Sequence, residues 1–153
     1  MNMLRHLILI LSMCCSVIAS AHRFETYSTA DGLPGSTVKC VAQDGQGYIW
    51  IGTFDGLARY DGYGFRVFRH EDGDSATLLN SHVEALCSCG DKVFVGTTSG
   101  LDCISLSTRK VYHCEYVDAQ GRRHPVKGYM SDILLHGNTV YAANTYGEVW
   151  QWQ

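Results

Sequence analysis

Short apolar runs rich in β-branched and aromatic residues recur along the chain from residue 38 onward, with turn-forming residues between them. Pairs such as Asp44-Gly45 and Gly90-Asp91, which tolerate the positive φ of tight hairpins, separate neighbouring runs. Runs this short indicate strands, because a helix would show an apolar period of about 3.6 residues. The pattern predicts strands over 38–43, 48–53, 57–60, 65–69, 83–88, 92–97, 101–105, 111–117, 131–135, 139–144 and 148–152.

The strand pattern repeats along the chain. The segment YIWIGTFDGLARY (48–60) aligns with KVFVGTTSGLDCI (92–104) at a constant offset of 44 residues, and both contain the element Gly-Thr-x-x-Gly-Leu. A looser third copy, TVYAANTYGEVWQ (139–151), follows the second at an offset of 47 residues. A period of this length with four short strands per unit is typical of a β-propeller blade.

We therefore expect an all-β chain that forms a partial β-propeller of about three four-stranded antiparallel blades. The blades are predicted at 38–82, 83–129 and 130–153, with the third one incomplete. Residues 22–37 are an N-terminal strand and lead-in, in which Arg23 to Tyr27 would complete the last blade and close the ring. Because blades bury their faces only against neighbours, we expect a fragment that needs the remaining blades as partners and does not fold alone.

The first 21 residues predict a signal peptide that is removed on export. Arg5 and His6 precede the apolar run LILILSMCCSVIA, and Ala19-Ser20-Ala21 has the small-residue pattern of a cleavage site. The run is shorter than a membrane-spanning helix requires. Met13 stands where a lipoprotein signal usually carries a small residue, so lipidation is the less favoured reading. We expect cleavage after Ala21 and a periplasmic location.

Charge and cysteine content narrow the possible partners. The formal net charge is −3 and the few basic pairs form no stripe, so nucleic acid is not an expected partner.

An odd number of cysteines remains after export, and Cys87 and Cys89 are too close along the chain to form a good disulfide with each other. No other Cys or His pair stands at zinc-finger spacing, so we expect small buried apolar groups at Cys40, Cys87, Cys89, Cys103 and Cys114.

No residue pattern singles out catalysis, a cofactor or a metal. Asp44, Asp55 and Asp61 adjoin glycines, where aspartate most often forms turns. The acidic segment HEDGDS (70–75) lacks the remaining ligands of a calcium loop. The histidines show no His-x-x-x-His spacing, although a Ser-His-Asp set assembled in space stays open. Trp50 is expected in the core between blades rather than as a sugar platform.

A ligand of a propeller would lie at the axial mouth, on loops held by the rigid ring. The candidate ligand-binding residues are Phe54 and Asp55, on a connection between strands, with Arg59 and Tyr60 nearby. Arginine and aromatic side chains suit the hydroxyl groups and the apolar face of a sugar.

The segment DGLPGSTVKCVAQDGQGYIWIGTFDGLARYDGYGFRVFR (31–69) resembles the two-component regulator propeller repeat of hybrid two-component system histidine kinases. The match is close in the first blade, fair in the second and weak in the third. The resemblance implies an N-terminal piece of a periplasmic sensor domain that binds oligosaccharides. It also implies a full-length parent in the inner membrane that can form a homodimer, with a transmembrane helix, a kinase, a receiver and a DNA-binding domain. This chain lacks the kinase part, so we expect no enzyme activity from it.

Two other classes remain open. One is a fragment of a secreted propeller enzyme, a glycoside hydrolase or lyase, which would place paired carboxylates in the axial channel of the remaining blades. The other is a non-catalytic propeller scaffold for protein interactions. The DNA downstream of codon 153 separates these classes, because only the sensor predicts a transmembrane segment followed by a kinase.

Overall fold

The computed structural model describes residues 24–153, so the predicted signal peptide lies outside the described residues. A short 3-10 helix, Thr29–Asp31, precedes the strands. The strands are β1 (Val38–Gln43), β2 (Ile49–Thr53), β3 (Gly56–Tyr60), β4 (Phe65–Phe68), β5 (Val83–Cys89), β6 (Lys92–Thr97), β7 (Leu101–Ser105), β8 (Val111–His113), β9 (Glu115–Val117), β10 (Arg123–Pro125), β11 (Met130–His136), β12 (Thr139–Asn144) and β13 (Val149–Trp152).

Three antiparallel meanders form the blades. Blade 1 has the strand order β1-β2-β3-β4, blade 2 has β5-β6-β7-β8, and blade 3 has β11-β12-β13. The first strand of each blade contacts the first strand of the next, β1 against β5 and β5 against β11, so these three strands line the inner edge of an arc. The prediction of an all-β partial propeller is confirmed.

The predicted strand bounds agree closely with the structure except in one place. The strand expected over 111–117 divides at Cys114 into β8 and β9. The Cys114 amide still donates to Leu101 in blade 2, whereas its carbonyl accepts from Val126, which turns the chain out of the blade. Strand β9 then pairs with β10 in a hairpin that the sequence pattern did not predict.

The Gly-Thr-x-x-Gly-Leu element adopts the same turn in both copies. Thr53 and Thr97 are buried, and their hydroxyls donate to the carbonyls of Gly56 and Gly100 over 2.8 and 2.9 Å. Both glycines have a positive φ, and a Cβ on Gly56 would lie 2.9 Å from the Phe68 carbonyl oxygen. The turn therefore requires both the hydroxyl and the glycine, which is why these residues recur.

The first glycine of the element lets neighbouring blades approach each other. A Cβ on Gly52 would lie 2.5 Å from Sγ of Cys40 and 2.6 Å from Val83 on β5. A Cβ on Gly96 would lie 2.8 Å from Met130 on β11. Both glycines therefore stand where the inner strand of the next blade packs against the second strand of its neighbour.

Two apolar clusters hold the blades together. Trp50 lies in the cluster between blades 1 and 2, where it is buried as predicted. The other members of that cluster are Leu57, Leu78, Val83, Val93, Val95, Ile104 and Leu106. The cluster between blades 2 and 3 consists of Ala85, Cys87, Phe94, Leu101, Cys103, Val126, Met130, Ile133, Val140 and Ala142. Packing of side chains between the sheets, typical of repeat architectures, thus joins the units.

The segment before the 3-10 helix lies against blade 1. Residues 24–28 form no strand, and the Tyr27 hydroxyl is 2.9 Å from the hydroxyl of Tyr60. The Tyr27 ring also packs edge-on against Phe65. A ring-closing role for this segment stays a prediction, because the blade that it would complete is not among those described. Within residues 24–153, no helix has the length and apolar character needed to cross a membrane.

Candidate functional site

The structure separates the four predicted ligand-binding residues into two pairs. Phe54 and Asp55 lie in the β2–β3 turn, at what we call the upper end of the blades. Arg59 and Tyr60 close strand β3 at the opposite, lower end, where Tyr60 pairs with Ile49. Since a strand rises about 3.3 Å per residue, the pairs stand on the order of 13 Å apart. The four side chains therefore do not form one site.

The lower pair is engaged in packing. The Arg59 guanidinium lies 4.4 Å from the ring centroid of Tyr48. Its Nε is buried without a hydrogen-bond partner among the described residues. The Tyr60 hydroxyl donates to the carbonyl of Gly62 over 3.0 Å. Both side chains thus stabilise the lower end of blade 1.

Asp55 is fixed by an arginine from the end of blade 1. The Arg69 guanidinium contacts the Asp55 carboxylate at 3.3 Å and donates to its backbone carbonyl over 2.8 Å. Arg69 also donates to the carbonyl of Pro34. These contacts hold the β2–β3 turn in place beside Phe54.

Phe54 belongs to a group of five side chains at the upper end, which we call the axial cluster. It consists of Phe54, His82, Lys39, Glu84 and Tyr129. The Phe54 ring is 47% exposed, and its centroid lies 4.1 Å from the His82 ring and 5.0 Å from Nζ of Lys39. The cluster therefore combines an accessible aromatic face with polar groups, which is the composition of many small-molecule sites.

Glu84 forms the centre of the axial cluster. Its carboxylate lies 3.0 Å from Nζ of Lys39 and accepts a short hydrogen bond from the Tyr129 hydroxyl. Nε2 of His82 is 2.7 Å from Oε1 of Glu84, but it has no hydrogen-bond partner among the described residues. The Glu84 side chain is only 8% exposed. This carboxylate thus connects blade 1, blade 2 and the segment that enters blade 3.

Electrostatic contacts favour the charged forms of Lys39 and Glu84. Burial by itself raises the pKa of the Glu84 carboxyl, but the bonds from Tyr129 and Lys39 outweigh burial and hold that pKa below its ordinary value. The bond to Glu84 raises the pKa of the Lys39 ammonium, and the pKa of the Tyr129 hydroxyl is raised for the same reason. Lys39 and Glu84 therefore form a pair of opposite charges near neutral pH.

The inner strands share an irregularity that positions this cluster. The register shifts once in each of them, between Val38 and Cys40, between Val83 and Ala85, and between Met130 and Asp132. The residues at the shifts are Lys39, Glu84 and Ser131. Such bulges re-aim a side chain out of the regular alternation. Sequence reasoning missed these residues, although the alignment of the three copies places a polar residue after an apolar one at this position each time.

A second polar pair lies away from the inner strands. Asp102 is fully buried, and its carboxylate accepts from Nδ1 of His113 over 2.7 Å and from the Leu79 amide over 2.8 Å. Burial raises the pKa of the Asp102 carboxyl despite these bonds. Ser75 lines the same open depression of about 310 Å³ as His113, but no bond between them is seen among residues 24–153. The pair anchors the connection between blades 1 and 2 to strand β7.

The described cysteines and acidic residues form neither a disulfide nor a metal-binding group. All five cysteines within residues 24–153 are free, and Cys87 and Cys103 are buried. Burial raises the pKa of the Cys103 thiol to about 11 and that of Cys114 to about 12. In the same stretch, no three His, Cys, Asp or Glu side chains group so that they could hold a metal ion.

Comparison with known proteins gives the family of the repeat. A family model described as "Two component regulator propeller" matches residues 32–55. Histidine kinase P4 of Formosa agariphila is 38% identical over 55 residues, which cover 36% of this chain and 4% of that protein.

Two crystal structures from B. thetaiotaomicron share the fold. Both are of one extracellular domain, which one describes as part of a hybrid two-component system and the other as part of a one-component system. Their TM-scores are 0.56 and 0.50, at 16% and 17% identity. The likeness covers 86% and 84% of this chain but only 23% and 22% of those chains.

The chain thus spans a small part of the length of these relatives. The matched segment includes Gly52 and Thr53 at the upper end of blade 1. Residues 32–55 therefore resemble the two-component regulator propeller repeat, and the described residues form a β-propeller segment whose fold the two solved structures share.

Proposed function

We propose that this chain is the N-terminal piece of a periplasmic sensor domain in a two-component signalling protein, and that it helps to bind an oligosaccharide. The observation that carries the proposal is the axial cluster, with the exposed ring of Phe54 beside the Lys39–Glu84 pair. An aromatic face beside hydrogen-bonding groups suits a sugar ring, whose faces are apolar and whose edge carries hydroxyls.

Phe54 and Asp55 are the proposed ligand contacts from the original four candidates, because they lie at the upper end near the axial cluster. Arg59 and Tyr60 would contact only a ligand that reaches the lower end. The proposed ligand enters where the first strands of the blades meet, which is the usual place for a site on a rigid ring.

The parent protein that we propose is a histidine kinase in the inner membrane, which the relative from Formosa agariphila supports by its name. In such a protein this chain is a non-enzymatic segment, and its partners are the remaining blades and, in a dimer, a second copy. The unit bounds proposed for it are 1–21, 22–37, 38–82, 83–129 and 130–153.

The test is a glycan array and calorimetry with the complete gene product and its Phe54→Ala variant. Loss of a stacking ring should weaken oligosaccharide binding by roughly fivefold or more, since aromatic contacts contribute about 1 kcal/mol or more. Tyr63→Ala is the matched control, because Tyr63 is 99% exposed in the β3–β4 turn at the lower end. Equal losses in both variants, or no glycan bound by the wild-type protein, would contradict the proposal.

A further inference from the structure

We infer that the Lys39–Glu84 pair makes the upper axial end selective for uncharged saccharides over acidic ones. This inference rests on the proposed function and names the class of ligand. Its basis is that the ammonium of Lys39, on an inner strand, is already paired with the carboxylate of Glu84 from the same chain.

The bulges place these two residues at equivalent positions on adjacent inner strands. Lys39 stands at the register shift of β1 and Glu84 at that of β5. Strands β1 and β5 contact each other along the inner edge of the arc. Each blade therefore offers one re-aimed side chain at this level, and the third one is Ser131. The bulges thus add one polar side chain per blade to this end, beside the other members of the axial cluster.

The ammonium of Lys39 and the carboxylate of Glu84 are in direct contact in the structure. Glu84 is held by the Lys39 ammonium at 3.0 Å and by the Tyr129 hydroxyl, and its side chain is nearly buried. A ligand carboxylate or sulfate would have to take Lys39 from this partner while lying within a few ångströms of the Glu84 charge. Breaking a largely desolvated pair leaves an uncompensated charge, which is strongly unfavourable.

The arginine beside Phe54 does not supply a free cation in its place. Arg69 at the same end is bound to Asp55 and to backbone carbonyls. Asp132 follows the shift in β11 and is exposed, so it adds a carboxylate to this end rather than a cation. Nε2 of His82 faces Glu84. Lys39 and Arg69 thus each already have an anionic partner from this chain.

Sugar hydroxyls match this balance. A hydroxyl donates one hydrogen bond and accepts others, so it can bond the carboxylate and the ammonium of a closed pair without separating them. The Phe54 ring beside Lys39 offers the apolar face that a neutral sugar ring requires. An uncharged saccharide therefore gains contacts at this site without displacing Glu84.

The test compares neutral and acidic oligosaccharides on the complete gene product and its Glu84→Gln variant. The probes are maltohexaose, cellohexaose and xylohexaose against hexagalacturonate, all measured by calorimetry together with an array of neutral and acidic glycans. We expect the wild-type protein to prefer neutral glycans, with little effect of salt. The Glu84→Gln change frees Lys39 and should raise affinity for acidic glycans by about tenfold, as expected for a new charge-assisted bond that weakens in salt.

Two further variants distinguish a specific effect on glycan preference from a general effect on folding. Tyr129→Phe removes a hydroxyl from Glu84 but leaves the ion pair, so the neutral preference should persist. Glu71→Gln makes the same change of charge on the exposed connection between blades and should alter neither class. A wild-type preference for acidic glycans, or an unchanged ratio in Glu84→Gln, would overturn the inference alone. Binding of neither class by either protein would overturn the proposed function as well.

Discussion

The indole Nε1 of Trp50 donates a 2.7 Å hydrogen bond to the carboxylate of Asp44, which is buried in the β1–β2 turn. The same carboxylate accepts from the amides of Gln46 and Tyr48. One aspartate therefore satisfies the turn and the largest buried side chain between blades 1 and 2. The position of Asp44 beside a glycine predicted its role in the turn but not its hydrogen bond to Trp50.

Asp44→Ala should destabilise the complete gene product by about 2–3 kcal/mol, because it leaves a buried indole N–H and two turn amides without their acceptor. Chemical denaturation followed by Trp fluorescence measures the change. Asp61→Ala is the control, since Asp61 accepts only from exposed turn amides. Similar losses in both variants would show that the bond to Trp50 contributes little.

Gly52→Ala and Gly96→Ala should each cost about 1–3 kcal/mol, because the added methyl group would overlap Val83 or Met130 on the inner strand of the next blade, so that this blade must move. Thermal unfolding of the complete gene product measures the effect. Gly45→Ala is the control, since its new Cβ would have only a distant carbonyl oxygen 3.9 Å away. An unchanged melting temperature for Gly52→Ala would refute close approach of the blades there.

Glu84 should make stability depend on acid pH. The pKa of this carboxyl is lower in the folded protein than its ordinary value of 4.5, so its contribution is full above that value. The contribution is lost as the pH falls through the folded pKa, because protonation removes the charge that Lys39 and Tyr129 bind. The difference in unfolding free energy between wild type and Glu84→Gln should therefore shrink on acidification. A difference that stays constant down to about pH 3 would exclude a charged Glu84 as the cause.

Cys103 and Cys114 should react slowly with alkylating agents. The raised pKa values, about 11 for Cys103 and about 12 for Cys114, leave on the order of a hundredfold and a thousandfold less thiolate, respectively, than in an unfolded chain near neutral pH. Mass spectrometry after iodoacetamide treatment, with and without urea, compares the two states. Rates equal to those of the unfolded chain would mean that the blade 2 face is open to solvent.

Residues 22–153 produced alone should aggregate or unfold without a cooperative transition, because the outer faces of blades 1 and 3 have no neighbour in this segment. Calorimetry and analytical ultracentrifugation test this expectation. A sharp transition of a monomer would show that three blades suffice.

The sequence predicted the blades well because their strands alternate with turns that only a few residue types form. The turn at Thr53 and Gly56 is one such signal, and it recurs at Thr97 and Gly100. The β9–β10 hairpin escaped prediction, since its short polar strands lack an apolar pattern and the chain leaves the blade through main-chain bonds at Cys114.

The candidate site was only partly predictable. Phe54 and Asp55 were chosen for their place on a connection between strands, whereas Arg59 and Tyr60 were added for their proximity along the chain. A five-residue strand carries its two ends to opposite sides of the blade, so these two pairs lie apart although they are near in sequence. Lys39 and Glu84 were missed because a bulge breaks the two-residue alternation on which strand reading depends.

The absence of a side chain at Gly52 and Gly96 has a consequence for the curvature of the arc. Each glycine fixes how closely one blade packs against the next, so a wider contact at either position would spread the neighbouring inner strands. The width of the space that β1, β5 and β11 line, and with it the size of a guest that enters there, therefore depends on a hydrogen in place of a side chain at these two contacts.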